Sequence, residues 1–515
     1  MRCCCTLRSP RISSVLGHKS VAVESRETVV GRPLILGARD GGTMRYHQAR
    51  LPIYAPTADE IEDSKSYPER LAALLGEDLD FHDQQSRYSS HNLHSFPAKF
   101  PPQLPRKFIE GLTHPGDVVL DPMAGSGTMI VEAALAGRLG IAFDIDPLAL
   151  LISSVKVTPV SAHDAAQAGH EVLRRAATAI ECTRHELDEA LERRWDSKTR
   201  QFVDYWFARE TQLELLALIS EIGTVADPAV RAFLELTFSS IIITKSGGVS
   251  LALDLAHTRP HRAKRVFDTT GQAVLQESAT NISSSRLRIL TKTLRPALGE
   301  FRLRLRSNLR GLVGPGTQDT GLVVAYGDAQ RLPLADCCVD LIVTSPPYVS
   351  NAIDYMRAHK FSLVWMGHRI DALGRKRGTY IGGESIRGVY FEELPRSVAE
   401  VVAEIGGHDE RKGLVLHRYY SEMTRCLREM LRVLKPGRAA VVVVGTSMMR
   451  GNDTQTQTCL AEIGRAMGFE VPKIGVRNLD RNRRMLPAGA HLDLASQIQQ
   501  RMHQEHVIGF YKPGP

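Results

Sequence analysis

The chain has 515 residues, 43% of them hydrophobic and 24% charged, enough apolar side chains for a large core in about two or three domains. Its formal net charge of +8 favours an anionic partner such as nucleic acid, although the excess is modest for this length. The eight cysteines lack metal-ligand spacing, which argues against a metal site and a disulfide framework and favours the reducing cytoplasm. No apolar run is long enough to span a bilayer, which argues against a membrane partner.

The first 60 residues mix Arg, Ser, Gly and Cys with weak periodicity. Such a composition predicts a poorly ordered leader over 1–60. More regular patterning begins after it, and we expect residues 61–155 to form the first part of a folded core.

A glycine-rich string, 121–128, lies between a strand-like apolar run and a helix-like segment. At such a turn, Gly125 and Gly127 allow close backbone approach to a ligand, because a Cβ would collide with the ligand or forbid the required φ. The string has no Lys of a phosphate-binding loop, and Asp121 would repel phosphate but suits the cationic end of S-adenosylmethionine. For this string alone, an ordinary tight turn is the alternative.

Two further apolar runs end in acidic residues. The run 139–146 contains Asp144 and Ile145, about 20 residues after the glycine string, where nucleotide-binding folds place the carboxylate that binds ribose hydroxyls. The run 322–329 ends in Asp328 and Ala329, and we expect Asp328 at the adenine amine. A turn aspartate at a strand end explains Asp328 equally well.

A fourth strand-like run, 339–344, leads into Ser345-Pro346-Pro347-Tyr348. Because carboxyl ends of parallel strands share one edge of a sheet, this string is expected beside the glycine string. Together the two strings resemble the catalytic and cofactor motifs of the nucleic-acid amino-methyltransferases, which methylate cytosine N4 or adenine N6. The family's serine form is commonest among cytosine-N4 enzymes.

The resemblance covers roughly residues 90–155 and 320–515. The string 94–102 resembles the family's additional motif, which closes over the methionine part of the cofactor and includes Pro97 and Lys99. The resemblance implies that S-adenosylmethionine is the cofactor. It also implies the residues that hold the cofactor, namely Pro97, Lys99, Asp121, Pro122, Met123, Ala124, Gly125, Ser126, Gly127, Thr128, Asp144, Ile145, Asp328 and Ala329.

The residue types at 345–348 suit amine methylation. An exocyclic amine is a poor nucleophile because its lone pair is delocalised into the base. By analogy with the family, the hydroxyl of Ser345 and the carbonyl of Pro346 accept its hydrogens and localise that pair, while Pro347 stiffens the loop. Tyr348 is expected to stack on a base flipped out of the duplex. No Pro-Cys dipeptide exists, so methylation at cytosine carbon five is excluded.

Residues 156–317 show helical spacing of apolar positions and read as a mainly helical insertion for target recognition. In it, His257 and Arg259 belong to a donor-rich run that predicts substrate contacts, with a solvated basic linker as the alternative. Residues 318–515 are expected to complete the core. There, Asp354 and Tyr355 are further candidate substrate contacts, and the Gly- and Arg-rich run 374–388 predicts a mobile loop.

The sequence thus predicts an α/β fold, a doubly wound Rossmann-like sheet of about seven strands interrupted by a helical insertion. The predicted function is methylation of duplex DNA at a flipped base, with cytosine N4 preferred and a companion restriction endonuclease as a further partner. Adenine N6 and an RNA (tRNA) substrate are the alternatives. Two other classes fit less well: a protein amide methyltransferase, whose motif has Asn in place of Ser345, and a partner protein without turnover.

Overall fold

The computed structural model describes residues 34–40, 43–49, 65–82, 84–96, 99–244, 246–253, 260–277, 284–312, 321–349, 354–479 and 504–514. Within the predicted leader it contains a hairpin of two antiparallel strands, β1 (Leu34–Asp40) and β2 (Thr43–Ala49). The first part of the core follows as α1 (Tyr67–Gly76), a 3-10 turn (Ser89–Asn92), α2 (Gln103–Leu112), β3 (Val118–Asp121), α3 (Thr128–Leu135), β4 (Leu139–Asp144) and α4 (Pro147–Val157).

The segment between the two core parts is mainly helical, and it also carries a small sheet of three short strands in the order β6-β5-β7 that the spacing of apolar residues did not indicate. Its elements are α5 (Ala162–Cys182), α6 (Arg184–Arg193), α7 (Ser197–Trp206), α8 (Arg209–Gly223), α9 (Pro228–Ile242), β5 (Arg265–Phe267), β6 (Ala273–Gln276), α10 (Ser284–Ile289), β7 (Thr291–Thr293) and α11 (Ala297–Leu309).

The second part of the core contains β8 (Val323–Tyr326), β9 (Val339–Thr344), α12 (Tyr355–Leu363), α13 (Ile370–Gly378), α14 (Arg396–His408), α15 (Glu410–Val433), β10 (Leu434–Gly445), β11 (Met448–Met449), β12 (Asn452–Asp453), α16 (Thr456–Ala466), β13 (Ile474–Asn478) and β14 (Gln504–Lys512). The sequence 434–437, which reads as a turn, is part of β10. Gly437, at φ +76°, falls within a break of register against β9, so the turn residues form an irregularity inside the strand.

Seven strands form the main sheet in the order β13-β14-β10-β9-β3-β4-β8. The five from β10 to β8 are parallel, whereas β14 pairs antiparallel with both of its neighbours. The predicted doubly wound, mostly parallel sheet of about seven strands is confirmed. The chain winds outward from β3 to β8 and then returns to place β9 on the other side of β3, so the strand order reverses between β3 and β9. Ligands of such sheets bind outside the carboxyl ends of the strands at this point.

Alternate residues of the central strands face two separate apolar layers. Leu120, Ile342 and Val442 pack with residues of α15 and α16, whereas Leu341 and Val443 pack with residues of α1, α2 and α3. All five side chains are fully buried. Burial of one such side chain contributes about 1.5–3 kcal/mol, so a sheet covered on both faces holds the strand ends in fixed positions. In the described part of the chain, no helix is both long enough and apolar enough to cross a bilayer.

Candidate functional site

A cleft opens at the reversal of strand order and encloses about 800 Å³, part of it open to solvent. Segments that follow four strands line it: β3, β4, β8 and β9. Many of the predicted site residues meet there, namely Lys99, Pro122, Met123, Ala124, Gly125, Ser126, Thr128, Asp144, Ile145, Asp328, Ala329, Ser345, Pro347 and Tyr355. The glycine string 121–128, hereafter the glycine turn, and the string 345–348, hereafter the double-proline loop, therefore face the same cavity.

Two left-handed glycines shape the glycine turn. Gly125 has φ +49° and Gly127 has φ +69°. A Cβ on Gly127 would lie 2.9 Å from the backbone Cα of Ser153 in α4, closer than packed atoms approach. Gly127 is thus required for close packing of the turn against α4, and Gly125 points its N–H at a carboxylate oxygen of Asp144, 2.8 Å away.

Asp121 ends β3 behind the turn and is not among the residues that line the cleft. Its Oδ1 accepts hydrogen bonds from the hydroxyl of Thr344 at 2.7 Å and from the backbone N–H of Met123 at 3.0 Å. Thr344 ends β9 and directly precedes the double-proline loop. The hydrogen bond between Thr344 and Asp121 therefore links the start of the double-proline loop to the start of the glycine turn. Burial raises the pKa of Asp121 to about 7, and the hydrogen bonds oppose that rise.

Asp144 lines the cleft at the end of β4. Besides the bond from Gly125, its other oxygen accepts the backbone N–H of Asp146 at 2.8 Å. Loss of water around the carboxylate raises the pKa of Asp144 to about 6, and the charge of Asp146 adds to the rise.

The double-proline loop places Ser345 and Pro347 in the cleft wall, whereas Pro346 and Tyr348 are not among the lining residues. Tyr348 is only 7% exposed. Its hydroxyl donates to Glu505 of β14 at 2.9 Å, and Glu505 pairs with Arg477 of β13. The aromatic ring is therefore tied to the edge of the sheet, in a position that the motif alone did not indicate.

Some of the predicted residues are already engaged by other groups of the chain. Asp354 is buried and forms ion pairs with Arg357 at 2.7 Å and Arg377 at 2.6 Å, so its carboxylate is already engaged. Lys99 donates from Nζ to the carbonyl oxygen of His91 at 2.8 Å. Three predicted residues, Pro97, His257 and Arg259, lie outside the described residues.

Aromatic rings cover one side of the cleft. The ring of Tyr355, from α12, stacks on Phe96 with 5.2 Å between centroids, and Phe96 also contacts the ring of His359 at 5.4 Å. Phe100 is a further aromatic lining residue. Such rings provide flat apolar faces for a base or a nucleoside.

Asp146, His359 and Tyr380 form a buried cluster that no motif in the sequence indicates. Asp146 caps α4, where Oδ1 accepts the N–H groups of Leu148 and Ala149. Its Oδ2 accepts hydrogen bonds from Nδ1 of His359 at 2.7 Å and from the hydroxyl of Tyr380 at 2.8 Å. Burial alone would raise the pKa of Asp146, but the charge of His359 and these hydrogen bonds hold it below its ordinary value.

Only the capping role of Asp146 had a sequence signal, because Asp followed by Pro is typical of a helix start. His359 and Tyr380 line the cleft without any motif of their own. The remaining lining residues that the sequence did not single out are Phe96, Phe100, Asp146, Ala149, Gly327 and Ile381.

The run 374–388 differs from the mobile loop that its composition predicts. It begins as the end of α13, and Arg418 of α15 then donates to the carbonyl oxygens of Gly378 at 3.0 Å and Tyr380 at 3.1 Å. Glu422, paired with Arg418 at 2.8 Å, accepts the N–H of Gly382. A buried ion pair thus replaces the missing apolar anchors and holds Tyr380 at the cleft.

The lining residues suit a cationic nucleoside better than a polyphosphate. Among the described residues that line the cleft are three carboxylates, those of Asp144, Asp146 and Asp328, and one ammonium group, that of Lys99. Phosphate groups would be repelled, whereas a sulfonium cation is attracted. No group of three His, Cys, Asp or Glu side chains within the described ranges is arranged to hold a metal ion.

Known proteins resemble both parts of the core. The family profile described as DNA methylase matches residues 46–153, and the one described as RMKL-like, methyltransferase domain, matches residues 111–205. The Type II methyltransferase M.MvaI of Kocuria varians is 23% identical over 401 residues, covering 75% of this chain and 83% of that protein. The Type II methyltransferase M.BsoBI of Geobacillus stearothermophilus is 21% identical over 466 residues, covering 82% and 86%.

Among solved structures, the rRNA methyltransferase aviRa of Streptomyces viridochromogenes is 12% identical, covers 87% of this chain and 96% of its own, and has a TM-score of 0.25. The doubly wound fold is shown by the order of the strands in the main sheet. The profile and the two relatives confirm the predicted resemblance to the DNA amino-methyltransferases of the cytosine-N4 and adenine-N6 family. A methyltransferase of this kind implies S-adenosylmethionine as the methyl donor.

Proposed function

We propose that this protein transfers a methyl group from S-adenosylmethionine to N4 of a cytosine flipped out of duplex DNA. The observation that carries the proposal is the shared cleft, where Ser345 and Pro347 of the double-proline loop face Gly125 and Ser126 of the glycine turn. The sulfonium methyl and the acceptor nitrogen must lie in line at one point, and only a cavity that both strings line can hold them so.

The glycine turn, the strand-end carboxylates and the double-proline loop have different roles. The glycine turn, Asp144 and Asp328 hold the nucleoside part of the cofactor. The hydroxyl of Ser345 and the carbonyl of Pro346 accept the two amine hydrogens, which favours a pyramidal nitrogen in the transition state. S-adenosylmethionine supplies an electrophilic methyl group, so the chain needs no nucleophile of its own and the amine loses its proton after transfer.

Cytosine N4 is preferred to adenine N6 because serine begins the catalytic string in this chain, and in the family that the sequence resembles this serine form is commonest among cytosine-N4 enzymes. DNA is the proposed substrate because the relatives with high coverage are Type II methyltransferases. Those names also support a role in restriction–modification, with a companion endonuclease that recognises the same DNA sequence.

We further propose that residues 156–317 read the target while 61–155 and 318–515 form the catalytic core. In α11, Arg302 and Arg306 are exposed, whereas the neighbouring Phe301 and Leu305 are buried. Replacing either arginine by Ala is expected to weaken binding to all duplexes alike and to lower the salt dependence of binding by about one charge.

The direct test is to sequence DNA from cells that express the chain, with a readout that separates 4-methylcytosine from 6-methyladenine. Enrichment of 4-methylcytosine at one sequence supports the proposal. Enrichment of 6-methyladenine would redirect it to the adenine-N6 class, and absence of both marks with methylation of tRNA in a competition assay would overturn the DNA substrate.

A variant pair tests the catalytic role of the loop. Ser345→Ala is expected to lower kcat by about 10²-fold or more while the affinity for S-adenosylmethionine changes little. Ser397→Ala, an exposed serine of α14 outside the cleft, is the control and should retain full activity. Full activity of Ser345→Ala would contradict the assignment.

A further inference from the structure

His359 combines complete burial with a ring nitrogen that has no partner. The residue is 0% exposed and lines the cleft. Its Nδ1 is bound to Asp146, whereas Nε2 makes no hydrogen bond to any of the described residues. A buried polar atom left without a hydrogen bond costs about 1–3 kcal/mol, so an atom of this kind in a cavity wall marks a place for a polar group of a ligand.

The surroundings of Asp146 decide what Nε2 offers. The ionised carboxylate can only accept, so Nδ1 of His359 carries a hydrogen, and Nε2 then offers a lone pair in a neutral ring or an N–H in a charged ring. Four donors hold the carboxylate: two backbone N–H groups of α4 on Oδ1, and His359 and the Tyr380 hydroxyl on Oδ2. The imidazole is therefore held in one orientation, and a hydroxyl group, which both donates and accepts, can pair with Nε2 in either form of the ring.

Asp144 lies next to this ring, whose charge acts on its carboxylate. The backbone N–H of Asp146 binds one oxygen of Asp144 and the N–H of Gly125 binds the other, both at 2.8 Å. Asp144 therefore reaches a ligand only through its remaining lone pairs, and a second hydrogen-bonding group beside it completes a site for a pair of neighbouring hydroxyl groups. The adenine amine, the other neutral donor of the cofactor, is expected at Asp328 after β8, on a different strand.

We propose that Nε2 of His359 forms a hydrogen bond with a ribose hydroxyl of the bound cofactor, beside Asp144, and that Asp146 and Tyr380 are positioning residues for this contact. The inference rests on the proposed function, since it takes S-adenosylmethionine as the ligand of the cleft. It assigns a cofactor contact to α12, a helix that lies outside both the glycine turn and the double-proline loop.

The experiment is calorimetric titration of the full chain with S-adenosylhomocysteine and with its 2′-deoxy and 3′-deoxy analogues. His359→Asn keeps an amide N–H near Nδ1 for Asp146 but lacks Nε2, and it is expected to bind S-adenosylhomocysteine roughly five- to tenfold more weakly. With the analogue that lacks the contacted hydroxyl, wild type and variant should bind equally, as in a double-mutant cycle. His417→Asn is the control, because that ring binds Glu392 away from the cleft, and it should change neither affinity.

Equal binding of S-adenosylhomocysteine by wild type and His359→Asn, or the same loss with all three ligands, would overturn the inference and leave the proposed function intact. Wild type that binds none of the three ligands would instead count against the proposed function. If His359→Asn does not fold, His359→Phe keeps a ring of similar size without either nitrogen, and the same discrimination between ribose and deoxyribose ligands is expected to disappear.

Discussion

The hydroxyl of Thr344 donates a hydrogen bond to the carboxylate of Asp121 across the point where the strand order reverses, 2.7 Å apart and buried. Thr344 immediately precedes Ser345, and Asp121 is the first residue of the glycine turn. One side-chain contact thus fixes the distance between the two strings on which the proposed chemistry depends.

Thr344→Val should therefore destabilise the protein although it preserves the shape of the side chain. The change leaves Oδ1 of Asp121 with only the Met123 N–H, and the free energy of unfolding is expected to fall by about 1–3 kcal/mol in urea titrations. Thr344→Ser keeps the hydroxyl and should lose much less. Equal stability of the Val and Ser variants would show that the bond contributes nothing.

Asp121 should also make stability depend on pH. Its folded pKa of about 7 lies above the ordinary value, so its contribution is complete at low pH, below the unfolded pKa, and is lost as the pH rises through about 7. Asp121→Asn removes this dependence. Between about pH 4 and pH 8, the free energy of unfolding of the variant, measured relative to that of wild type, is expected to rise by on the order of 2–4 kcal/mol. A constant difference across that range would contradict the raised pKa.

Asp144 predicts a pH dependence of ligand binding. Its carboxylate becomes negative as the pH rises through about 6, which favours a sulfonium cation over an uncharged thioether. The affinity for S-adenosylmethionine, divided by that for S-adenosylhomocysteine, should increase several-fold between about pH 5 and pH 7.5. Asp144→Asn should flatten this ratio. A ratio independent of pH in wild type would place the sulfonium away from Asp144.

Gly127 and Gly137 form a matched pair for testing the glycine turn. Both have nearly the same φ, +69° and +70°, but a Cβ at Gly127 meets Ser153 at 2.8 to 2.9 Å, whereas a Cβ at Gly137 has its nearest neighbour at 4.0 Å. Gly137→Ala should cost only the strain of φ, about 1 kcal/mol. Gly127→Ala should cost about 1–3 kcal/mol more and weaken cofactor binding. Equal losses of stability in the two variants, measured by thermal unfolding, would show that the contact with Ser153 does not restrict residue 127.

The pair of Glu505 and Arg477 is expected to hold the double-proline loop through the Tyr348 hydroxyl. Both charged residues are 6% exposed, so Glu505→Ala leaves a buried guanidinium without a partner and should cost about 3–5 kcal/mol. Glu462→Ala breaks an exposed pair with Arg465 and should cost less than about 1 kcal/mol. Tyr348→Phe, which loses only the hydroxyl bond, should lower kcat more than it lowers stability. Full activity of Tyr348→Phe would show that the pair of Glu505 and Arg477 does not hold the double-proline loop through the Tyr348 hydroxyl.

Local sequence was sufficient for the elements that carry the motifs. The apolar runs before Asp121, Asp144 and Ser345 form strands that are buried on both faces of the sheet. A continuous apolar run is typical of such a strand, so the sequence was enough to predict them. The glycines at 125 and 127 indicated a turn that needs positive φ, and both have it. The common edge of these strands followed from the rule that parallel strands end together.

What only the tertiary structure decided is which side chains complete the cleft and which are withdrawn from it. His359 and Tyr380 reach Asp146 across 213 and 234 residues of chain, and Tyr348 is bound by Glu505 across 157. Such contacts leave no periodicity and no propensity in the sequence, because they depend on how whole helices and strands pack. Arg418 likewise anchors a run whose own composition predicts a loop, since a buried ion pair on a distant helix supplies the order that the run lacks.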